Sequence, residues 1–412
     1  MVHQTIRISS SSAASASTKI SHMHRFLSAC SVVLGLTIVG SLAGCGSAPP
    51  PRDEGASAAP AIEVEQPAAV RGVAPAGTPL APIVQQARSR WVAVDWAELP
   101  GWADDRLDEA WSAWLRSCER PTAPWGTLCE DVRRLQPASD AQRRAWLQAR
   151  LQPYRVESLQ GEAAGLLTAY YEPVIEAARL PNERFRVPLY QPPAELARRQ
   201  PWYSRQEIDT LPEAQAALRG REIAWLADPV AALNIQIQGS GRLLVTEPDG
   251  RQRTVRLNYA GTNGHPYRSV GAWLLERREV RDASWPSIRA WVAQNPARVQ
   301  ELLWSNPRVT FFRESPLPES EAAVGPRGAQ GVPLTAGRSI AVDPLSIPYG
   351  APVWLVSAGP QLPLQRLVLA QDTGSAITGA VRADYFVGTG PQASELAGRL
   401  KQPLRLWVLW PR

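Results

Sequence analysis

The last seventy residues of the chain alternate between apolar runs and short turns, and three aspartates accompany these runs. Asp343, Asp372 and Asp384 each lie at or next to the end of a run that predicts a β-strand, with Gly or Pro close behind. Because a strand end holds a side chain rigidly and still faces solvent, we expect the three carboxylates to share one acidic cleft. The alternative is that each aspartate only stabilises a turn.

The N-terminus has the pattern of a bacterial lipoprotein signal. Arg25 precedes the apolar run 26–40, which is short for a membrane span, and the tetrapeptide Leu-Ala-Gly-Cys ends at Cys45. We predict that residues 1–45 are a lipoprotein signal peptide and that Cys45 carries the lipid, although Cys45 could simply end the signal. The next residue is Gly46 rather than Asp, which favours the outer membrane. The expected location is the periplasmic face of the outer membrane of a Gram-negative bacterium, with a lipid anchor.

Residues 46–84 are rich in Ala and Pro and contain few aliphatic side chains, so we predict a disordered tether. In an oxidising compartment the two remaining cysteines, Cys118 and Cys129, are candidates for a disulfide. Alternatively, Cys118 is an apolar residue on the face of its helix.

Helical spacing of apolar residues predicts a helix within 102–118, and Ser139 is a candidate N-cap for a second helix. Further along, residues 165–172 predict a strand, and alternation of apolar and polar residues over 232–242 predicts a half-exposed strand. Asp249 and Gly250 predict a hairpin turn between two strands.

The residues available for chemistry exclude several classes of site. The mature chain has one histidine, His265, which any Ser/His/Asp or Cys/His arrangement would have to use. A zinc site would have to be built almost wholly from carboxylates, so both kinds of site are disfavoured. No phosphate-binding glycine loop is present, and the net charge of +6 is scattered among acidic residues, which argues against nucleic acid. We expect no metal and no cofactor. Carboxylates, tyrosines and amides remain, and these are typical of acid/base chemistry on sugars.

One motif favours a different enzyme class. Asp372 lies in Asp-Thr-Gly-Ser after an apolar strand, as in aspartic proteases. Those enzymes need two such aspartates that share a proton. The chain has no second copy of the motif, so a protease would require a dimer.

Six sequence blocks stand out from about Gly165 onward. They are Tyr170-Tyr-Glu-Pro, Ile237-Gln-Gly-Ser-Gly-Arg, Tyr259-Ala-Gly-Thr-Asn-Gly, Asn306-Pro-Arg-Val-Thr-Phe-Phe-Arg-Glu, Gly331-Val-Pro-Leu-Thr-Ala-Gly-Arg-Ser and the segment with the three aspartates. Together these blocks resemble the membrane-bound lytic murein transglycosylase A family, whose C-terminal segment is the three-aspartate (3D) domain. Three positions depart from the family pattern: Ala169 replaces a Gly, and Ser375 and Thr378 replace a Gly and a Lys.

The resemblance implies a mainly β protein with flanking helices. A double-psi β-barrel domain would be built from residues 85–169 and 305–412, and a smaller β-barrel domain, residues 170–304, would be inserted between its two parts. A groove between the two domains would take the substrate.

The resemblance also implies a reaction: non-hydrolytic cleavage of the β-1,4 bond between N-acetylmuramic acid (MurNAc) and N-acetylglucosamine (GlcNAc) in peptidoglycan, from chain ends, leaving 1,6-anhydro-MurNAc. Alternatives are an inactive peptidoglycan-binding lipoprotein and a hydrolase of the same glycan. Expected partners are glycan strands, the membrane through the lipid, and other cell-wall proteins.

Carried over by motif position, Asp384 is the expected acid/base, with a pKa raised by burial or by a neighbouring negative charge. Asp372 is the expected neighbour and sugar ligand, and Asp343 is expected at the rim or holding the loop together. The other candidate sugar ligands could instead satisfy backbone groups; they are Tyr171, Gln238, Ser240, Thr262 and Asn263. His265 is expected to hydrogen-bond within its loop.

Overall fold

Residues 83–412 are the part of the chain that the computed structural model describes. The predicted signal peptide, including Cys45, and nearly all of the predicted tether lie outside these residues. The first strand begins at Ile83 and so includes the last two residues of the predicted tether. In the described part, none of the helices combines the length and apolar composition that a membrane span needs.

The described chain contains fifteen strands and ten α-helices, in an order that is mainly β with helices at the flanks. The strands are β1 (Ile83–Gln85), β2 (Arg90–Ala93), β3 (Leu151–Glu157), β4 (Gly165–Glu172), β5 (Val174–Ala178), β6 (Val187–Tyr190), β7 (Glu222–Leu226), β8 (Gly241–Thr246), β9 (Gln252–Thr262), β10 (Thr310–Pro316), β11 (Ser339–Val342), β12 (Pro352–Ser357), β13 (Leu364–Asp372), β14 (Arg382–Thr389) and β15 (Lys401–Pro411). The helices are α1 (Leu107–Ser117), α2 (Cys129–Arg134), α3 (Asp140–Arg150), α4 (Arg205–Thr210), α5 (Pro212–Leu218), α6 (Pro229–Gln238), α7 (Val270–Glu276), α8 (Trp285–Gln294), α9 (Val299–Trp304) and α10 (Pro391–Arg399).

Nine strands form the first sheet, in the order β1-β2-β3-β15-β12-β13-β11-β14-β4. The long strand β15 pairs not only with β3 and β12 but also, through its first residues, with β4. Six of the strands therefore close into a ring, which is β15, β12, β13, β11, β14 and β4. Because β4 comes from the first part of the chain and the other five from the last, the prediction of a barrel built from both parts is confirmed.

Helices α1 to α3 cover the outside of this barrel. The predicted helical stripe is confirmed in α1, where Leu107, Trp111 and Trp114 are buried in the core that they share with strands β12, β13 and β15. Ser139 caps α3 as predicted: its side chain accepts from the Gln142 amide. The Gln142 side chain in turn accepts from the Ser139 amide, which completes a capping box. Cys118, at the end of α1, forms a disulfide with Cys129 at the start of α2.

The other six strands form a second sheet, in the order β10-β9-β8-β5-β7-β6, and its two edge strands β10 and β6 also contact each other. Only Pro173 separates β4 of the first sheet from β5 of the second. The predicted hairpin at Gly250 is confirmed between β8 and β9. Strand β10 belongs to this second sheet, although we assigned the segment from residue 305 to the other domain.

The prediction of a strand over 232–242 is wrong, because most of this segment is helix α6. Asp228 caps the helix through a bond to the Val230 amide, Pro229 occupies its first turn, and Gly239 ends it in the left-handed region at φ 78°. The misleading alternation arose because α6 is buried on several sides, so that Asn234 is enclosed along with its apolar neighbours.

Candidate active site

Two of the three aspartates lie in one row across the barrel wall. In the register of the strands, Ala341 of β11 is paired with Asp372 of β13 on one side and with Asp384 of β14 on the other. Asp384 is paired in turn with Thr168 of β4. Residues paired in this way point to the same face of a sheet, and two strand spacings separate the aspartate backbones by roughly 10 Å. Ala341, between them, is buried in a small apolar cluster that includes Tyr170 and Phe386.

Asp384 has one occupied and one free carboxylate oxygen. The Thr168 hydroxyl donates to Oδ1 over 2.5 Å and itself accepts from the Arg382 guanidinium over 2.8 Å. Within residues 83–412, Oδ2 accepts no hydrogen bond, and the side chain keeps part of its surface open to solvent. Burial raises the pKa of Asp384 and outweighs the Thr168 hydrogen bond and the positive charge of Arg382, both of which lower it.

Asp372 has donors on both oxygens. The Tyr170 hydroxyl donates to Oδ2 over 2.8 Å, and the Ala329 amide donates to Oδ1 over 2.9 Å. Burial nevertheless raises the pKa of Asp372 to about 6; hydrogen bonds from Thr373, Tyr170 and Ala329 oppose this rise, and the charge of Asp384 adds to it. The charge of Asp384 is thus one cause of the raised pKa of Asp372, whereas burial is the main cause at both carboxyl groups.

Asp343 is only 3% exposed, and its hydrogen-bond partners are groups other than this pair. Its Oδ2 accepts from Arg88 over 2.9 Å and from the Gly379 amide over 2.8 Å, and its Oδ1 accepts from the Leu345 amide over 3.0 Å. Burial alone would raise the pKa of Asp343, but the two amides and Arg88 together lower it. The structure therefore brings Asp372 and Asp384 into one row, while Asp343 holds together the loops beside them.

Two of the candidate sugar ligands are used within the protein. Asn263 is fully buried; its Nδ2 donates to the carbonyls of Tyr203 and Pro307, and its Oδ1 accepts from the Val309 amide. The hydroxyl of Tyr171 is buried as well and accepts from Asn234 over 2.6 Å. Both side chains therefore support the backbone and the core, which is the alternative to sugar binding that the sequence left open.

The other three candidates lie near the place where β4 passes into the second sheet. Gln238 is half-buried at the end of α6, and its Oε1 accepts from the Tyr171 amide over 3.1 Å. Ser240 follows it and is nearly buried, and Thr262 lies half-buried at the end of β9. His265 bonds the Trp202 carbonyl through Nε2, which confirms its role within the loop.

The sequence analysis missed Thr168 and Tyr170 as partners of the aspartates. Alternation along β4 puts these two residues on the same face of the strand, opposite to Tyr171, which we had chosen instead. This period-two signal was available in the sequence, but the pairing of β4 with β14 was not.

Two surface cavities, of about 360 and 420 Å³, are lined by residues that include Trp96 and Tyr203 respectively, and neither includes Asp372 or Asp384. Among the described residues, no cluster of three or more His, Cys, Asp or Glu side chains could hold a metal ion.

Two family profiles match the chain. The profile described as the MltA specific insert domain matches residues 166–313, and the 3D domain matches residues 338–410. The first therefore covers strands β5 to β9 and the beginning of β10, and the second includes the row of aspartates.

Known proteins extend this similarity. The membrane-bound lytic murein transglycosylase A of Escherichia coli K12 is 36% identical over 253 residues, which are 59% of this chain and 64% of that protein, just under two thirds of its length. The crystal structure of MltA from Neisseria gonorrhoeae is 30% identical, with a TM-score of 0.67 over 81% of this chain and 96% of that chain. The structure of E. coli MltA with bound chitohexaose is 26% identical, with a TM-score of 0.62, and the match covers 81% of this chain and 95% of that chain. The chain belongs to the membrane-bound lytic murein transglycosylase A family, and it has a 3D domain.

Proposed function

We propose that this protein is a lytic transglycosylase that cleaves the β-1,4 bond between MurNAc and GlcNAc in peptidoglycan and leaves 1,6-anhydro-MurNAc ends. The observation that carries this proposal is the free oxygen of Asp384 on a carboxyl group whose pKa is raised. A protonated carboxyl with one open oxygen is what a general acid needs. The family membership and the relative with bound chitohexaose support a glycan strand as the substrate.

One carboxyl group is enough for both proton transfers. Asp384 donates its proton to the glycosidic oxygen as the bond from that oxygen to C1 of MurNAc breaks. The C6 hydroxyl of the same MurNAc attacks C1, and its proton passes to the Asp384 carboxylate. The enzyme thus returns to its starting protonation state without an attacking water, unlike the hydrolases with two carboxylates.

Asp372 has a supporting role in this scheme. Both of its oxygens already have protein donors, so it is less suited than Asp384 to reach a substrate oxygen. When Asp372 is ionised, its negative charge opposes the ionisation of Asp384, because like charges repel. Gln238, Ser240 and Thr262 remain candidates for hydrogen bonds to the sugar.

The products distinguish this reaction from its alternatives. Purified full-length protein in detergent is incubated with peptidoglycan, and the ends of the released fragments are analysed before and after borohydride reduction. Anhydro ends that resist reduction support the proposal. Reducible ends would indicate a hydrolase, and retention without release would indicate a binding protein.

The pH dependence of turnover tests the coupling of the two aspartates. Because Asp384 must be protonated to act, kcat should fall as pH rises through its pKa, which lies above the ordinary value for aspartate. In Asp372→Asn the neighbouring negative charge is absent, so the pKa of Asp384 should decrease and the alkaline fall should move to lower pH. An unchanged or higher midpoint in this variant would contradict the coupling.

The location is proposed from the N-terminal motif. We propose that Cys45 carries a lipid that anchors the protein at the periplasmic face of the outer membrane, where other cell-wall proteins could act with it. A Cys45→Ala variant should move from the membrane fraction to the soluble periplasmic fraction. If it stayed in the outer membrane, another anchor would be responsible.

A further inference from the structure

Arg308 connects the second sheet to the segment that follows Asp372. It lies two residues before β10, and its Nε donates to the carbonyl of His265 over 2.9 Å. Its Nη1 donates to the hydroxyl of Ser375. Ser375 belongs to residues 373–379, which we call the Asp372 loop. The guanidinium is therefore held by the second sheet at one end and reaches the loop beside the candidate active site at the other.

The charge of this guanidinium is not neutralised by its contacts. Arg308 is half-buried, and its partners among the described residues are one carbonyl and one hydroxyl, neither of which is charged. Some other enclosed arginines bind carboxylates, as Arg256 binds Glu172 and Arg338 binds Asp105. Arg205 has neutral partners as well, but it is almost fully buried and out of reach of a ligand. An arginine that is partly removed from water and has only neutral partners can gain from an acidic or strongly polar ligand.

A ligand can replace the Ser375 hydroxyl as the hydrogen-bond partner of Arg308. Ser375 is exposed and follows Gly374, so its hydroxyl can move away from Arg308 without disturbing a packed core. Ser375 also stands where the family pattern has Gly, a residue that has no side-chain hydroxyl. Loss of the bond frees Nη1 and leaves the bond from Nε to His265, which keeps the guanidinium in place.

We infer that Arg308 is a specificity-determining residue that hydrogen-bonds the carbonyl or carboxylate oxygen of the lactyl group on MurNAc. This inference rests on the proposed function. The lactyl group distinguishes MurNAc from GlcNAc, and its end is a planar group whose oxygen atoms match the donors of a guanidinium. Arg308 contacts the loop that begins directly after Asp372, so a muramyl residue bound at the aspartate pair comes within reach of it.

The test compares a muramyl substrate with a neutral glycan. In Arg308→Gln we expect kcat/KM for peptidoglycan strands to fall by about tenfold to a hundredfold, the range for loss of a hydrogen bond to a charged group. Chitohexaose, which lacks lactyl groups, should inhibit the wild type and this variant with the same inhibition constant. Arg308→Lys keeps the positive charge but lacks the planar set of guanidinium donors. Its kcat/KM for peptidoglycan strands should therefore fall less than that of Arg308→Gln.

Two substrates separate the possible ligand atoms. Strands that carry stem peptides present a lactyl amide, whereas amidase-treated strands present a free lactyl carboxylate. An equal loss on both substrates assigns the contact to the carbonyl oxygen that they share. A larger loss on the amidase-treated strands assigns it to the carboxylate, since a charged pair is the stronger interaction.

Two matched variants serve as controls. Arg253→Gln removes one positive charge from an exposed position on β9 and should leave both measurements unchanged. Ser375→Gly removes the partner of Arg308 in the free protein and should preserve the preference for muramyl strands. An unchanged kcat/KM in Arg308→Gln, or an equal weakening of chitohexaose inhibition, would overturn the inference.

Failure of the inference about Arg308 can be distinguished from failure of the proposed function. If the wild type forms anhydro ends and Arg308→Gln keeps the muramyl preference, only the inference fails. If the wild type binds strands but forms no anhydro ends, the proposed function fails. In that case the inference is tested by binding. It holds if Arg308→Gln binds peptidoglycan strands more weakly than the wild type but binds chitohexaose equally well, and it fails if both ligands are affected equally.

Discussion

Asp384→Asn should lower the rate of anhydro-ended product release by about a hundredfold to ten-thousandfold, the contribution that a positioned general acid/base makes. An amide cannot deliver the proton, but it can still accept the bond that the Thr168 hydroxyl donates to Oδ1. We therefore expect the variant to fold and to bind peptidoglycan strands. The measurements are product release by chromatography, strand binding, and thermal unfolding.

Asp372→Asn is the matched comparison for this variant, because it makes the same chemical change in the other member of the pair. It should bind strands and turn over more slowly than the wild type but faster than Asp384→Asn. Wild-type turnover in Asp384→Asn would show that another group transfers the proton, and Asp372 would be the next candidate.

Glu172→Gln should destabilise the protein by about 3–5 kcal/mol, since removing one partner of a buried ion pair leaves the others uncompensated. Glu172, at the end of β4, is fully buried, and its two oxygens accept from Arg256 and Arg242, each over 2.7 Å. It also accepts from the Thr389 hydroxyl over 3.0 Å. One carboxylate thus joins β8 and β9 of the second sheet to β14 of the barrel. Urea denaturation measures the loss.

Glu176→Gln is the control for this substitution. Glu176 lies four residues further along the chain in β5, and its ion pair with Arg184 is exposed on both sides. Pairs of this kind contribute at most about 1 kcal/mol. Equal destabilisation by the two substitutions would mean that the burial of Glu172 does not determine its contribution.

The local features of the fold could be predicted because the signals for them are local. The α1 stripe, the Ser139 cap and the Gly250 turn each depend on residues within a few positions of one another. The segment 232–242 was misjudged because alternation and helical burial give similar patterns in a short apolar run. Asp228, Pro229 and Gly239 carried the opposite signal, and these capping residues decided the structure.

The candidate site was only partly predictable because strand register is not a local property. The sequence placed three aspartates near strand ends, but the pairing of Ala341 with both Asp372 and Asp384 brings two of them together. A shift of one residue would have turned one carboxylate to the opposite face. The burial of Asp343 and Asn263 likewise depends on distant contacts, such as those with Arg88 and Tyr203.

The hydroxyl of Thr168 and the carboxyl of Asp384 meet although 216 residues separate them along the chain. The second sheet lies between them in sequence, so a partly synthesised polypeptide that ends within it holds the first group without the second. Long-range pairings of this kind form late in folding. The pairing around Asp384 is therefore complete only after two segments far apart in the chain have joined, so a truncated chain should lack this site.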